Sequence, residues 1–134
     1  MPVGGDITEI TWNHPTLGSG VIFPKAAEAS NIDKGGFRSN DDANSIDGGG
    51  NMIDTISRVR WSFEMPVAWE QLDGNTLTTL SNLAGSPVLA DWTFTCLNGV
   101  VYQGLGKPVG DMIGDGMASN IPLKVSGGGI LRQL

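Results

Sequence analysis

The residues able to do chemistry are few and scattered. His14 is the single histidine and Cys96 the single cysteine among 134 residues. A nucleophile held beside a general base would have to be built from that one histidine. His14 precedes Pro15 in a turn with no Ser or Cys motif beside it, and it reads as a hydrogen-bonding turn histidine on the surface. One Cys and one His cannot supply the nitrogen and sulfur ligands of zinc. The acidic stretch Asp42–Gly48 has the look of a calcium loop, but Ile46 falls where a ligand is required and no Glu follows at the twelfth position. Gly104, Gly106 and Gly110 lack the spacing of a dinucleotide loop, and Pro108 would interrupt the helix that should receive the phosphate. Glu64 and Glu70 are the carboxylates a glycosidase scheme would need, with nothing to fix their separation or perturb their acidity. Trp61 and Trp92 lie on apolar strand faces and read as core or interface anchors, whereas Trp12 and Trp69 are open between core and a sugar-binding surface. The expectation is no catalytic residue, no metal, no cofactor and no enzyme activity.

The elements around these residues are mostly strands. Ile7–Trp12 alternates apolar and polar side chains, and Asn13-His14-Pro15 breaks it before a short Val21–Phe23 strand. From Asn31 to Asn51 the sequence loses apolar periodicity, so a long extended loop is expected to project from the core. Met52–Met65 alternates along its whole length, with Ile53, Val59, Trp61, Phe63 and Met65 on one face and Asp54, Arg58, Arg60 and Glu64 on the other. Fourteen residues exceed the usual strand of about 5 to 6, so this element is expected to bend or to run onto a neighbour. Pro66 ends it. Asn75 can cap a helix carrying Leu77, Leu80 and Leu83 on one stripe, with Gly85 and Pro87 as stop signals. Val88–Cys96 alternates again, Asn98-Gly99 offers a tight hairpin turn, and Val100–Gln103 returns. Ile121–Val125 and Gly129–Leu131 complete a β-β-loop-β-α-β-β-β-β order in one domain spanning residues 1–134.

Composition narrows the function. Charged residues make up 16% of the chain and hydrophobic ones 40%, against roughly 25% charged in ordinary globular proteins, so surface is expected to be hidden in contacts. A net charge of -6 argues against grip on nucleic acid through phosphates. A lone cysteine allows no intrachain disulfide and fits folding in a cytosol. The start Met1–Asp6 has neither a basic run nor an apolar core, and no segment approaches about 18 unbroken apolar residues, so neither export nor a membrane partner is expected.

The carboxyl-terminal half carries a pattern. Trp92-Thr-Phe-Thr-Cys-Leu-Asn-Gly-Val-Val-Tyr-Gln-Gly-Leu-Gly is followed by Gly110-Asp-Met-Ile-Gly-Asp and then by Ala118-Ser-Asn-Ile-Pro-Leu-Lys-Val-Ser-Gly-Gly-Gly-Ile-Leu. This resembles the tail tube proteins of tailed bacteriophages, and the order of elements extends the resemblance over nearly the whole chain. It implies a mainly β fold: a two-sheet β-sandwich or small barrel with one short flanking α-helix and a long extended loop, assembling into a ring-shaped β-barrel. It implies hexameric rings stacked into a hollow tube of the virion tail, assembled in the host cytoplasm and conducting genomic DNA without specific binding. Tail sheath, tape measure, and baseplate or terminator proteins are the implied further partners. On this reading the 31–51 loop makes the ring-to-ring contact through Phe37, Arg38, Asn40, Asp41, Asp42, Ile46 and Asp47, disordered in the free subunit and ordered on stacking. Met52–Met65 is the lumen strand, with Asp54, Arg58, Arg60 and Glu64 as the lumen-facing candidates. The competing readings are a tube protein of a contractile injection or secretion device and a monomeric ligand-binding β-sandwich such as a carbohydrate-binding module.

Overall fold

The computed structural model describes residues 3–70 and 75–134, with the Asn75 side chain outside the description. The chain is mainly β with one helix. Strands β1 (Ile7–His14), β2 (Gly18–Ile22), β3 (Asn31–Asp33), β8 (Trp61–Ala68), β9 (Ala90–Cys96), β10 (Val101–Pro108), β11 (Asn120–Gly127) and β12 (Arg132–Gln133) form one antiparallel sheet. Its order is β2-β1-β9-β10-β11-β8-β3, with β12 added on β10. Strands β4 (Gly36–Ser39), β5 (Ser45–Ile46), β6 (Met52–Ile53) and β7 (Ile56–Val59) stand apart, β4 pairing β7 and β5 pairing β6.

The sheet bends back on itself, and β10 is where it does so. Val101–Gly106 of β10 pairs with β9, whereas Lys107 and Pro108 pair with Ser126 and Val125 of β11. The strand thus serves both halves. Period-two alternation in β1, β8, β9 and β11 sends one set of side chains into the space between the halves. There Phe63 of β8 stacks on Phe94 of β9 with ring centroids 4.2 Å apart, and Trp61 meets Phe94 edge-on at 6.0 Å. Ile10, Trp61, Phe63, Val67, Trp92, Phe94, Ile121 and Val125 are fully buried in this core. Trp12 is buried with them and Trp69 packs against them, so all four tryptophans belong to core packing.

Instead of two separate sheets there is a single hydrogen-bonded path of strands, and among the described residues it closes no barrel. The chain leaving β2 crosses from one edge of the path to the other, where Pro24 bridges Val67 of β8. Lys25 N–H donates to the Pro66 carbonyl (3.1 Å) and Ala68 N–H to the Phe23 carbonyl (2.9 Å). Pro66 has no N–H to return a bond to the Lys25 carbonyl, so the contact stays a single bridge.

Helix α1 (Asn75–Gly85) lays Leu80 and Leu83 on the core, with Leu77 half-buried beside them. It ends at Gly85, as the stop signals indicate; the proposed Asn75 cap lies outside the described side chains. Pro66 does not end its strand. In β8 it lies directly opposite Pro122 of β11, at a non-hydrogen-bonded position where neither missing N–H is required. Nor does the returning strand stop at Gln103: β10 continues through Gly104 and Gly106 to Pro108.

Two larger expectations are corrected. Met52–Met65 is not one strand: it breaks at Asp54-Thr55 and again at Arg60. At the first break Thr55 N–H donates to the Asn44 side-chain oxygen (2.7 Å) instead of to a ladder. At the second the pairing partner changes, from β4 opposite β7 to β3 opposite β8. The partner side turns there through Gly35 and Gly36, at φ 77° and 98°, a region that glycine alone enters without cost. Nor is 31–51 a structureless loop. Its residues form β3, β4, a 3-10 turn at Asp41–Ala43 and β5, and all of these except the 3-10 turn find strand partners within the same chain.

Candidate functional site in a projecting ribbon

Residues 36–59 form a two-stranded ribbon. In its proximal half Gly36, Phe37, Arg38 and Ser39 face Val59, Arg58, Ser57 and Ile56; in its distal half Ser45 and Ile46 face Ile53 and Met52. No residue from Phe37 to Arg60 is buried. An isolated two-stranded ribbon is marginal in water, so the side-chain hydrogen bonds that hold this one have a clear purpose.

At the base, the Asp33 carboxylate accepts from Gly35 N–H (3.0 Å) and pairs with Arg38 (2.6 Å). The Arg38 guanidinium holds the Asp33 carboxyl below its ordinary value. A Cβ at Gly35 would press on Trp61 N, Gly129 O and Val59 O, so only glycine lets the ribbon leave the sheet here. The carboxyl-terminal segment clamps the same point, with Ile130 bridging Gly35 and Leu131 N–H donating to the Lys34 carbonyl (2.9 Å).

At mid-length the Ser39 hydroxyl donates to Asp54, Asn44 Nδ2 donates to Ser39 Oγ (2.7 Å), and Asn40 N–H donates to the Thr55 carbonyl (2.7 Å). These bonds carry the ribbon across its irregular middle. At the tip the Asp47 carboxylate accepts from Gly49 N–H and Asn51 N–H, both at 2.9 Å. Those backbone donors hold its carboxyl below the ordinary range.

The exposed apolar side chains are the unusual feature. Phe37, Ile46 and Met52 are 65%, 68% and 64% exposed, and Ile53 and Ile56 are exposed too. The Arg58 guanidinium lies 4.7 Å from the centre of the Phe37 ring, a cation–π contact that leaves the other ring face free. Five large exposed apolar side chains on a ribbon with no buried residue beyond its base form a surface suited to association.

The structure gathers Phe37, Arg38, Asn40, Asp41, Asp42, Ile46 and Asp47 on this ribbon. It does not gather the four lumen candidates. Asp54 sits at the mid-ribbon kink bonded to Ser39, Arg58 lies over Phe37, Arg60 falls at the break between β7 and β8, and Glu64 is in the main sheet between Asn31 and Lys124. They share no continuous strand face. Met52, Ile53 and Ile56 belong to the exposed apolar set as well, although alternation had placed Ile53 on the core face. Their exposure follows from which strand they pair with, which alternation does not report.

The other chemical candidates lie apart from the ribbon and from one another. His14 is buried rather than on the surface, at 2% exposure. Its Nδ1 accepts from Thr16 N–H (3.1 Å) and Leu17 N–H (3.0 Å), while Nε2 lies 3.0 Å from Ser86 Oγ and 3.1 Å from the Val88 carbonyl. With Nδ1 accepting, the proton is on Nε2, and the ring staples the β1–β2 turn to the segment after α1. Glu64 is mid-strand, whereas Glu70 lies past the end of β8 beside Val21, Phe23 and Thr76. Cys96 is half-buried, and desolvation pushes its thiol up. Among the described residues no three His, Cys, Asp or Glu side chains gather as a metal site would require, and no helix is long and apolar enough to cross a membrane. Compared with known proteins, the chain matches no family model and no curated sequence.

Proposed function

We propose that the chain is the structural subunit of a bacteriophage tail tube, with six copies in a ring and rings stacked into a hollow conduit for genomic DNA. One observation carries the self-assembly at the centre of this reading. The ribbon 36–59 exposes five large apolar side chains, and among the described residues its strands pair only with one another. A second observation supports it: β2 and β3 end the sheet path with no further strand partner among the described residues. Unpaired edges are templates for another chain, and closure around a ring removes them. The tail-tube identity, the ring of six and the wider partners, namely tail sheath, tape measure, and baseplate or terminator proteins, rest on the sequence resemblance. A tube subunit of a related injection device would use the same surfaces, and genome neighbours separate the two.

Negative-stain electron microscopy of concentrated protein tests the reading. Rings or tubes are the expected result, lost when residues 38–50 are deleted. Only monomers at every concentration, or tubes of normal length from the deletion variant, would defeat it.

A further inference from the structure

The ribbon is electrically polarised along its length. Its distal half, residues 40–55, carries Asp41, Asp42, Asp47 and Asp54 and no base. Its root, residues 33–39 and 56–60, carries Lys34, Arg38, Arg58 and Arg60 against the single acid Asp33. Lys34, Arg58 and Arg60 are exposed, as are Asp41, Asp42, Asp47 and Asp54. The one ion pair at the ribbon among the described residues, Asp33–Arg38, lies wholly within the root.

Among the described residues no ion pair joins the two halves within one subunit. From Arg60 back to Met52 the chain covers eight residues, which at about 3.3 Å each is roughly 26 Å of extended strand. Exposed charges are screened beyond about 8 Å at physiological ionic strength. The tip about Asp47 therefore stands too far from Arg58 and Arg60 to interact, whereas Asp54, bonded to Ser39, marks the boundary between the halves. Exposed apolar side chains flank both halves, with Ile46, Met52 and Ile53 at the tip and Phe37 and Ile56 toward the root.

We propose that the acidic distal half of the ribbon docks on the basic root of the ribbon of a second copy, setting tip apolar residues against Phe37 and Ile56. The occupant is a copy of this chain because the ribbon itself holds both complementary halves. A contact between opposite ends of the same element repeats from copy to copy without requiring a two-fold axis. Charge supplies register and approach, and apolar burial supplies most of the affinity. The inference rests on the self-assembly reading and specifies where that assembly makes contact.

A charge-swap pair tests it. One variant, N40K/D41K/D42K, reverses the tip while leaving Asp47 and Asp54 in their structural bonds. The other, K34E/R60E, reverses the root. Far-UV circular dichroism and tryptophan fluorescence identify folded protein, and sedimentation with electron microscopy reads assembly. Each variant alone should need at least about tenfold more protein than wild type to assemble, and a 1:1 mixture should recover assembly near the wild-type concentration. The proposal is overturned if either variant assembles like wild type, or if both fail and their mixture stays dispersed. Wild-type protein that never assembles would instead bring down the self-assembly reading, a result distinct from either.

Discussion

His14 shows what a solitary polar residue does when the core closes over it. Two backbone N–H groups of the following turn donate to Nδ1, and Nε2 reaches the segment after the helix. His14→Ala removes a buried ring together with its bonds and should lower stability by about 1–3 kcal/mol, read from urea denaturation. The sequence shows the turn, because Pro15 follows; the burial depends on Ser86 and Val88, more than seventy positions away. Asp47 is the corresponding device at the ribbon tip. Backbone donors hold its folded carboxyl below the ordinary 3.8. The tip turn is therefore fully supported above that value and loses the support as pH falls through the lowered one. The protection of the Gly49 and Asn51 amides, relative to their intrinsic exchange rates at each pH, should fall on acidification below about pH 4, ahead of amides in β8 and β9. Equal protection of tip and core through that range would contradict the assignment.

At the level of elements, legibility follows burial. β1, β8, β9 and β11 alternate because one face meets the core; the places of β1, β9 and β11 are readable within a few residues, whereas β8 begins nine residues later than the alternation from Met52 suggests. The helix is readable from the three-residue spacing of Leu77, Leu80 and Leu83. The ribbon is not readable, because β4 pairs with β7 some twenty residues on, and its Asn, Asp and Gly content is poor strand material. What makes it a strand pair is backbone hydrogen bonding, which leaves no trace in hydropathy. The same blindness applies at β10, which runs past Gln103 through Gly104 and Gly106 to Pro108. A Cβ on Gly127 would strike the β10 backbone and the Trp61 indole, whereas one on Gly128 meets open space. Gly127→Ala should accordingly cost about 1–3 kcal/mol, and Gly128→Ala should stay within about 0.5 kcal/mol of wild type. Thermal unfolding of the two variants distinguishes a close-approach glycine from a merely flexible one.

For the whole molecule, the division between a core without the ribbon and a ribbon without a core makes assembly separable from stability. Deleting residues 38–50 removes no buried side chain. The unfolding midpoint should stay within a few degrees of wild type while assembly is lost; a collapse of the fold would mean the ribbon supports the core instead. A polar charge pattern adds that wild-type assembly should weaken between low and high salt, since exposed charges are screened.

Strand β1 lies between β2 and β9, with Trp12 opposite Trp92 and Ile10 opposite Phe94. On the ribosome the first strand is therefore made about eighty residues before its inner partner. At roughly 5–20 residues per second that is a delay of about 4–16 s. The ribbon, by contrast, is complete once residue 59 has emerged, so each nascent chain presents its adhesive part before the sheet meant to carry it can close. Neighbouring chains on one messenger are exposed to premature contact during that interval, and pausing translation between residues 60 and 90 should raise the fraction recovered as misassociated protein.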